Sequence, residues 1–382
     1  MLSRTADHLY WMARYTERAE NTARMLDVAV QTSMLPQSAG DAELDWRAML
    51  GISELEAAFD AKYDTVDQKN VLLFMISDTD NPSSIASCLT GARENARAVR
   101  GTLTTEVWET HNATWLDMQR RLAEGAGDPS QFFEWVKYRS HLSRGVTIGT
   151  MLTDEAMYFL RLGTFLERAD NTARILDIKY HAAKDNGVGE ALMQRDFYYW
   201  AALLRSVSGF EIYRKVYRDV ITPARVAQLL MLRGDMPRSL LACMGQVVAT
   251  LEAVRNDVSA DTERLAGKIH AELQFARIED ILEAGLHDTL TDFMERILSW
   301  ATGSAATSSF PWRPDYATVH PSRNTVPVQR RPGLQHSAIA PDPARGITAA
   351  GAVLAHRHPG QLPGLQRRVR QRFAHADLER AT

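Results

Sequence analysis

The sequence predicts an all-α protein: two tandem-duplicated multi-helix units packed as a pseudo-twofold helical bundle, followed by a disordered tail. Three observations support this prediction: an internal repeat, apolar residues at three- and four-residue steps, and a lack of hairpin-turn signals between alternating segments. With 382 residues, of which 45% are hydrophobic, the chain can bury a sizeable core.

The internal repeat defines the two units. Residues 17–28 read ERAENTARMLDV and residues 167–178 read ERADNTARILDI, and nine of these twelve positions are identical. The three differences conserve side-chain character. We therefore predict a first helical unit over 1–150 and a second over 151–302.

A second block supports the same duplication at an offset of 155. It aligns residues 80–85 with residues 235–240 and places Cys88 on Cys243. Since the offset drifts by only five residues between the two blocks, chance similarity is a poor explanation.

Helix boundaries are predicted from capping residues and prolines. Ser3 and Thr153 stand at matching positions at the start of each unit and are predicted N-caps. Pro82, Pro223 and Pro237 are predicted to occupy the first turns of three further helices, because proline lacks the N–H that a first turn leaves unpaired.

The tail, residues 303–382, differs from the rest in composition. It holds 11 Arg, no Lys and four acidic residues, a net charge of +7, whereas residues 1–302 carry −10. Nine of the 14 prolines also lie there, which predicts disorder. The tail can be an ordinary unstructured segment, a frameshifted reading of a GC-rich gene, or a basic arm for nucleic acid. We favour the frameshift, because 80 residues contain no Lys, and the nucleic-acid arm least.

Composition and missing motifs exclude several functions. Two cysteines cannot build a disulfide framework or a four-thiolate zinc site. The chain has no apolar run of the roughly 18–20 residues that span a bilayer, and its start lacks a signal-peptide core, so we expect a cytoplasmic protein without membrane contact. No phosphate loop or dinucleotide fingerprint is found, and we expect no cofactor.

The repeated motif supplies the candidate site residues. Advancing about 100° per residue places a polar stripe on one side of each motif helix, while Ala19, Thr22, Ala23 and Leu26 are predicted to face the core on the other side. Arg18 and Arg168 are predicted to lie on the flanks. The stripes contain Glu17, Glu20, Asn21, Arg24 and Asp27 in the first copy, and Glu167, Asp170, Asn171, Arg174 and Asp177 in the second.

Two uses of the stripes are open. They can form a buried network of charged and amide groups, which we favour, or a catalytic cleft in which Glu17, Glu20, Glu167 and Asp170 act as acid and base groups. In the cleft, Arg24 and Arg174 would hold a carboxylate or amide substrate. In the network, both arginines are expected to be at least partly buried and paired with carboxylates of the stripes, some from another helix, and their replacement should lower the melting temperature.

Metal and thiol chemistry have weaker support. Neither motif has the Glu-x-x-His spacing of carboxylate-bridged iron sites, and the interleaved arginines oppose Mg²⁺, so no metal site is predicted. Cys88 and Cys243 are interpreted as small buried hydrophobes in preference to nucleophiles.

Several segments resemble the bacterial alpha-E domain family over about residues 1–300. They are the opening 1–24, the stretch 80–97, the stretch 159–174 and the stretch 200–208. The resemblance implies an all-helical protein without established catalytic residues. Family genes typically lie beside a circularly permuted ATP-grasp ligase and a transglutaminase-like peptidase, which implies these proteins as partners in a peptide-synthesis or peptide-modification system.

Overall fold

The computed structural model describes residues 1–34, 39–125, 127–184, 190–256 and 259–301. Every regular element in these ranges is helical, which confirms the all-α class. The predicted tail, 303–382, lies outside the described residues. The helices are α1 (Ser3–Ser33), α2 (Ala39–Ile52), α3 (Glu56–Asp60), α4 (Gln68–Ile76), α5 (Ile85–Ala98), α6 (Thr105–Ala123), α7 (Pro129–Thr150), α8 (Glu155–Lys184), α9 (Glu190–Ser206), α10 (Phe210–Tyr217), α11 (Pro223–Leu232), α12 (Leu240–Ala253), α13 (Ala260–Phe275), α14 (Ile278–Ala284) and α15 (Leu286–Ala301).

The two longest helices, α1 and α8, lie side by side at the centre and carry the two motif copies. Contacts between them advance in the same direction along both helices. The amino terminus of Met1 lies 2.6 Å from Glu155, and Arg168 donates to Glu17 at 2.9 Å. The two helices therefore run parallel, and the chain returns between them through α2–α7.

A glycine allows the close approach of α1 and α8. A Cβ atom at Gly163 would lie 2.3 Å from the carbonyl oxygen of Tyr10 and 3.1 Å from the Cβ of Ala13. A backbone oxygen cannot move aside as a flexible side chain can. Only glycine therefore fits at this point of α8.

The other helices surround this central pair. Helix α1 packs against α5 and α7, and α8 packs against α12 and α15. In addition, α1 contacts α9 and α8 contacts α2. Buried apolar residues from both predicted units, including Leu26, Trp46, Leu176 and Trp200, belong to one hydrophobic cluster. None of the described helices combines the length and apolar character needed to cross a membrane.

Several predicted helix starts are wrong by one to three residues. Ser3 lies inside α1, after Leu2. The α8 cap is Asp154, not Thr153: its Oδ1 accepts from the backbone N–H of Ala156 and of Met157. Aspartate is a more favourable N-cap than threonine, so Asp154 caps α8 although Thr153 is the residue that aligns with Ser3.

The proline predictions have a mixed outcome. Pro223 begins α11 behind the Thr222 cap, as predicted. Pro82 and Pro237 instead precede their helices, because Ser84 and Ser239 provide the caps. Each serine Oγ accepts from the backbone N–H three residues later.

Candidate functional site

The motif helices α1 and α8 cross-pair their Glu-Arg dipeptides. Arg18 of α1 donates to Glu167 of α8 through Nε at 2.6 Å and Nη2 at 2.9 Å. Arg168 of α8 donates to Glu17 of α1 through the same two nitrogens, at 2.9 and 3.1 Å. The arginines predicted to lie on the flanks therefore bridge the two helices, each in a two-point ion pair.

We call Glu17 and Glu20 the first acidic centre. Besides Arg168, Glu17 binds Arg144 of α7 at 2.7 Å and Arg238, which precedes α12, at 3.0 Å. Its exposed fraction is 1%. Three arginines from three parts of the chain thus surround one sealed carboxylate.

Glu20, fully buried, shares two of these arginines. Arg238 lies 2.8 Å away and Arg144 lies 2.5 Å away. Arg24 adds a contact from one turn along α1, and Ser140 donates its hydroxyl at 2.6 Å. Glu20 therefore has four polar partners and no route to bulk water.

Asn21 extends the first acidic centre along α1. Its Oδ1 accepts from Arg238 at 2.8 Å. Its Nδ2 is buried and has no hydrogen-bond acceptor among the residues that the structure describes. The amide oxygen thus binds Arg238, while both N–H donors of Nδ2 lack an acceptor in the described part of the chain.

We call Glu167 and Asp170 the second acidic centre. Glu167 binds Arg14 at 2.6 Å in addition to Arg18, and Arg14 is 2% exposed. Asp170 pairs with Arg174 at 3.0 Å, one turn along α8. Arg174 also reaches Glu54 at 2.5 Å, whose side chain is exposed. Asn171, beside Asp170, is buried.

The far ends of the stripes have separate partners. Asp27 of α1 pairs with Lys137 of α7 at 2.9 Å. Asp177 of α8 lies 2.7 Å from Nδ1 of His287, which belongs to α15. Each stripe therefore ends at a nitrogen-bearing side chain from a neighbouring helix.

The electrostatics keep the sealed carboxylates ionised. Burial alone would raise the pKa of Glu167, but Arg18 and Arg14 outweigh it and lower that pKa to about 2. Burial likewise opposes ionisation of Glu17 and Glu20. Arg168 and Arg238 hold the pKa of Glu17 below the ordinary value of a glutamate, and Arg238 and Arg144 do the same for the pKa of Glu20.

The pKa values of the buried arginines shift in different directions. Burial lowers the pKa of Arg168 and Arg18, but Glu17 and Glu167 overcome this and raise both values. The pKa of Arg238 is lowered, because burial together with nearby Arg168 and Arg24 exceeds the effect of the two glutamates.

Glu17 and Glu167, one from each predicted stripe, lie where α1 packs against α8. The face of α1 opposite the stripe is buried as predicted, at Ala19, Thr22, Ala23 and Leu26. The stripe itself is also buried, because α1 has neighbours on all sides.

Arg174 is 15% exposed and pairs with Asp170 of its own stripe, but its second carboxylate, Glu54, lies in the turn after α2 and belongs to neither stripe. Arg24 is 14% exposed and pairs with Glu20 of its own helix. Its contact to another helix is to His141, a ring nitrogen and not a carboxylate.

Sequence reasoning missed Arg14, Arg144 and Arg238. Arg14 aligns with Thr164 at an offset of 150, so the repeat gives no signal for it. Arg238 lies in the second repeated block, where the aligned residue of the first half is Ser83. An arginine that replaces a serine within an otherwise similar block was the signal that could have pointed to it. Arg144 lies outside both repeated blocks, so the repeat does not point to it.

Both cysteines and His111 are buried in the protein interior. Cys88 and Cys243 are fully buried, and burial raises the pKa of each thiol to about 12. Their Sγ atoms approach the carbonyl oxygens of Pro82 and Pro237. Burial lowers the pKa of His111 to about 4. Within the described ranges, no group of three or more potential metal ligands lies close enough together to hold an ion.

Comparison with known proteins identifies a family. The Alpha-E family model, described as a predicted alpha-helical domain with a conserved ER motif, matches residues 1–304. No solved structure matches the chain.

The similar curated proteins are uncharacterised mycobacterial proteins. A Mycobacterium bovis protein is 24% identical over 357 residues, which covers 84% of this chain and 39% of the relative. A Mycobacterium tuberculosis H37Rv protein is 23% identical with the same coverage. The chain thus spans about two fifths of the length of the curated relatives it matches.

Proposed function

The chain belongs to the Alpha-E family, and on that premise we propose that it is a non-catalytic helical scaffold. One observation carries the proposal: Glu17–Arg168 and Arg18–Glu167 tie α1 to α8 by reciprocal buried ion pairs. We assign residues 17–18 and 167–168 to the ER motif of the family description. In this assignment the motif locks two helical halves together.

The state of the carboxylates supports a scaffold over an enzyme. A general acid must hold a proton near neutral pH, and a general base must reach its substrate. Glu17, Glu20 and Glu167 are at most 4% exposed, and their pKa values are lowered. The alternative, an enzyme acting on a peptide or amide substrate in a cleft between the repeats, needs these groups to be open and protonatable.

We further propose that the halves 1–150 and 151–302 are related by a pseudo-twofold axis parallel to α1 and α8. Matching details support this. Ser84 and Ser239 cap α5 and α12 in the same way. The contact of α1 with α9 is mirrored by that of α8 with α2.

The partner class follows from the family resemblance. We propose that the scaffold binds a circularly permuted ATP-grasp ligase, acting with a transglutaminase-like protein, in a cytoplasmic peptide-modification system. In the mycobacterial relatives the matched region is part of a longer chain, which supports a role alongside other modules.

The test is reconstitution with the neighbouring ligase. We expect the chain to co-purify with the ligase and to increase product formation. Absence of association, together with ligase activity that does not depend on the chain, would overturn the partnership.

Glu17→Gln separates the scaffold from the enzyme alternative. At a temperature where circular dichroism shows the variant folded, a scaffold should still bind the ligase and support its activity. Loss of turnover with fold and association intact would establish the enzyme instead. Glu279→Gln, which alters an exposed carboxylate paired with Arg277, is the matched control.

A further inference from the structure

The buried network contains more positive than negative charge. Six arginines lie within ion-pair distance of only three glutamates, and a guanidinium does not lose its proton in a protein. The glutamates are Glu17, Glu20 and Glu167, and the arginines are Arg14, Arg18, Arg24, Arg144, Arg168 and Arg238. Three positive charges are therefore not matched by these carboxylates.

Part of the excess reaches solvent beside a histidine of α7. Arg144 is 27% exposed and Arg24 is 14% exposed. His141, an exposed residue of α7, lies between them. Its Nδ1 is 2.8 Å from Nη2 of Arg144, and its Nε2 is 3.3 Å from Nη2 of Arg24.

This arrangement lacks an acceptor. A neutral imidazole has one acceptor nitrogen and one N–H, whereas a guanidinium nitrogen can only donate. With a guanidinium facing each ring nitrogen, at least one contact sets two donors against each other. Protonation of His141 would set donors against each other in both.

Unused donors lie at the same place. The contacts of Arg24 involve its Nε and Nη2, and those of Arg144 involve its Nη1 and Nη2. Within the described part of the chain, Nη1 of Arg24 and Nε of Arg144 therefore have no protein acceptor. A ligand with several acceptor oxygens would satisfy these donors and relieve the conflict at His141.

We propose that Arg24, His141 and Arg144 form a binding site for an oxyanion group, a carboxylate or a phosphate, of a small ligand. Paired guanidinium groups suit such groups because two parallel N–H donors match two oxygens. Glu17 and Glu20 hold the arginines from behind and fix their direction. The site needs no partner protein, so it stands or fails separately from the proposed ligase association.

Nuclear magnetic resonance of the histidine rings in the full chain tests the proposal. Inorganic phosphate and acetate are titrated separately at constant ionic strength, with chloride as the balancing ion. We expect saturable shifts of the His141 signals with at least one of them. The signals of His287, which is paired with Asp177, should not move. The anion that saturates identifies the chemistry of the ligand.

Variants locate the site. Arg144→Gln should weaken the apparent affinity about tenfold or more, as expected for loss of a charged hydrogen-bond donor. Arg97→Gln, at an exposed arginine paired with Glu94, should leave the affinity within twofold of wild type, a difference worth about 0.4 kcal/mol.

Two results would overturn the proposal. One is that neither anion moves His141 more than His287 in the wild-type protein. The other is that folded Arg144→Gln binds as wild type does. If Arg144→Gln does not fold, Arg24→Gln provides the second measurement, because Glu20 keeps Arg144, Arg238 and Ser140 as partners. It should also weaken the apparent affinity for the anion, and an affinity equal to that of the wild type would overturn the proposal.

Discussion

The two acidic centres carry nearly the same motif but are stabilised in different ways. The first, Glu17 and Glu20, takes arginines from α1, α7, α8 and the segment before α12. The second, Glu167 and Asp170, takes its arginines from α1 and α8 alone. The repeated motif therefore fixes the carboxylates, while the rest of each half determines how many cations reach them.

Single substitutions at aligned positions account for much of this difference. Arg238 stands where the first half has Ser83, and Arg14 stands where the second half has Thr164. Side-chain length contributes as well: Glu20 reaches Arg238 and Arg144, whereas Asp170, shorter by one methylene, contacts Arg174 of its own helix. Two nearly identical copies of a motif can therefore occupy unequal electrostatic environments.

The largest expected effect is at Arg238. Arg238→Ala removes a cation shared by Glu17 and Glu20 and leaves Asn21 without its partner. Breaking a buried ion pair by removing one member costs about 3–5 kcal/mol, so the free energy of unfolding should fall by that order. Urea unfolding followed by circular dichroism measures the change.

Arg233→Ala is the control for Arg238→Ala. Arg233 forms an ion pair with Asp235 in which both side chains are more than one-third exposed. Exposed pairs contribute at most about 1 kcal/mol. If the two variants lost equal stability, the first acidic centre would not depend on Arg238.

The second effect is loss of stability in acid. The pKa of Glu167 is lowered to about 2 in the folded protein, from an ordinary value of 4.5. Its contribution is complete above the unfolded-state value and is lost as the pH falls from about 5 towards 2. A difference of this size corresponds to about 3 kcal/mol. Urea unfolding at a series of pH values should therefore show decreasing stability over this interval.

Glu167→Gln checks the origin of the acid effect. The variant cannot gain the proton, so its stability should change less steeply between pH 5 and pH 2 than that of the wild type. Glu279→Gln, at an exposed position, should keep the wild-type slope. An unchanged slope in Glu167→Gln would assign the acid sensitivity to other carboxylates.

The smallest stability losses are expected for substitution of the matching arginines Arg24 and Arg174. Arg24→Ala leaves Glu20 with Arg144, Arg238 and Ser140, so we expect a loss of no more than about 1 kcal/mol. Arg174→Ala removes the arginine paired with Asp170, and the loss should be larger, about 1–3 kcal/mol. Thermal melting of both variants measures the order, and the reverse order would contradict the proposed inequality of the two centres.

The local parts of the fold could be predicted from the sequence. Apolar spacing gives helices, and the repeat indicates that Glu17 and Glu167 occupy equivalent positions. Burial of both stripes against each other was also expected, since Arg24 and Arg174 retained their carboxylate neighbours. These features depend on residues close together in the sequence or on the similarity of the two copies.

The partners of the first acidic centre could not be predicted in the same way. Arg144 and Arg238 meet Glu17 across 127 and 221 residues. Helical periodicity shows which face of a helix is polar, but it does not show which distant cation will cover that face. Similarly, α5 begins at Ile85 behind the Ser84 cap and not at Pro82, because several residues in one short segment could have served as the cap.

The parallel arrangement of α1 and α8 has a consequence for biosynthesis. When α1 leaves the ribosome, Arg168 is 151 residues from Glu17 in the sequence and Arg238 is 221 residues away. At roughly 5–20 residues per second, about 10–40 seconds pass before the last of these arginines is made. During that time the carboxylates of α1 can stay hydrated only if α1 remains exposed. The central helix of the finished protein is thus made first but completes its ion pairs only after Arg238 is made, and a chain cut before Arg238 lacks a cation that Glu17 and Glu20 share.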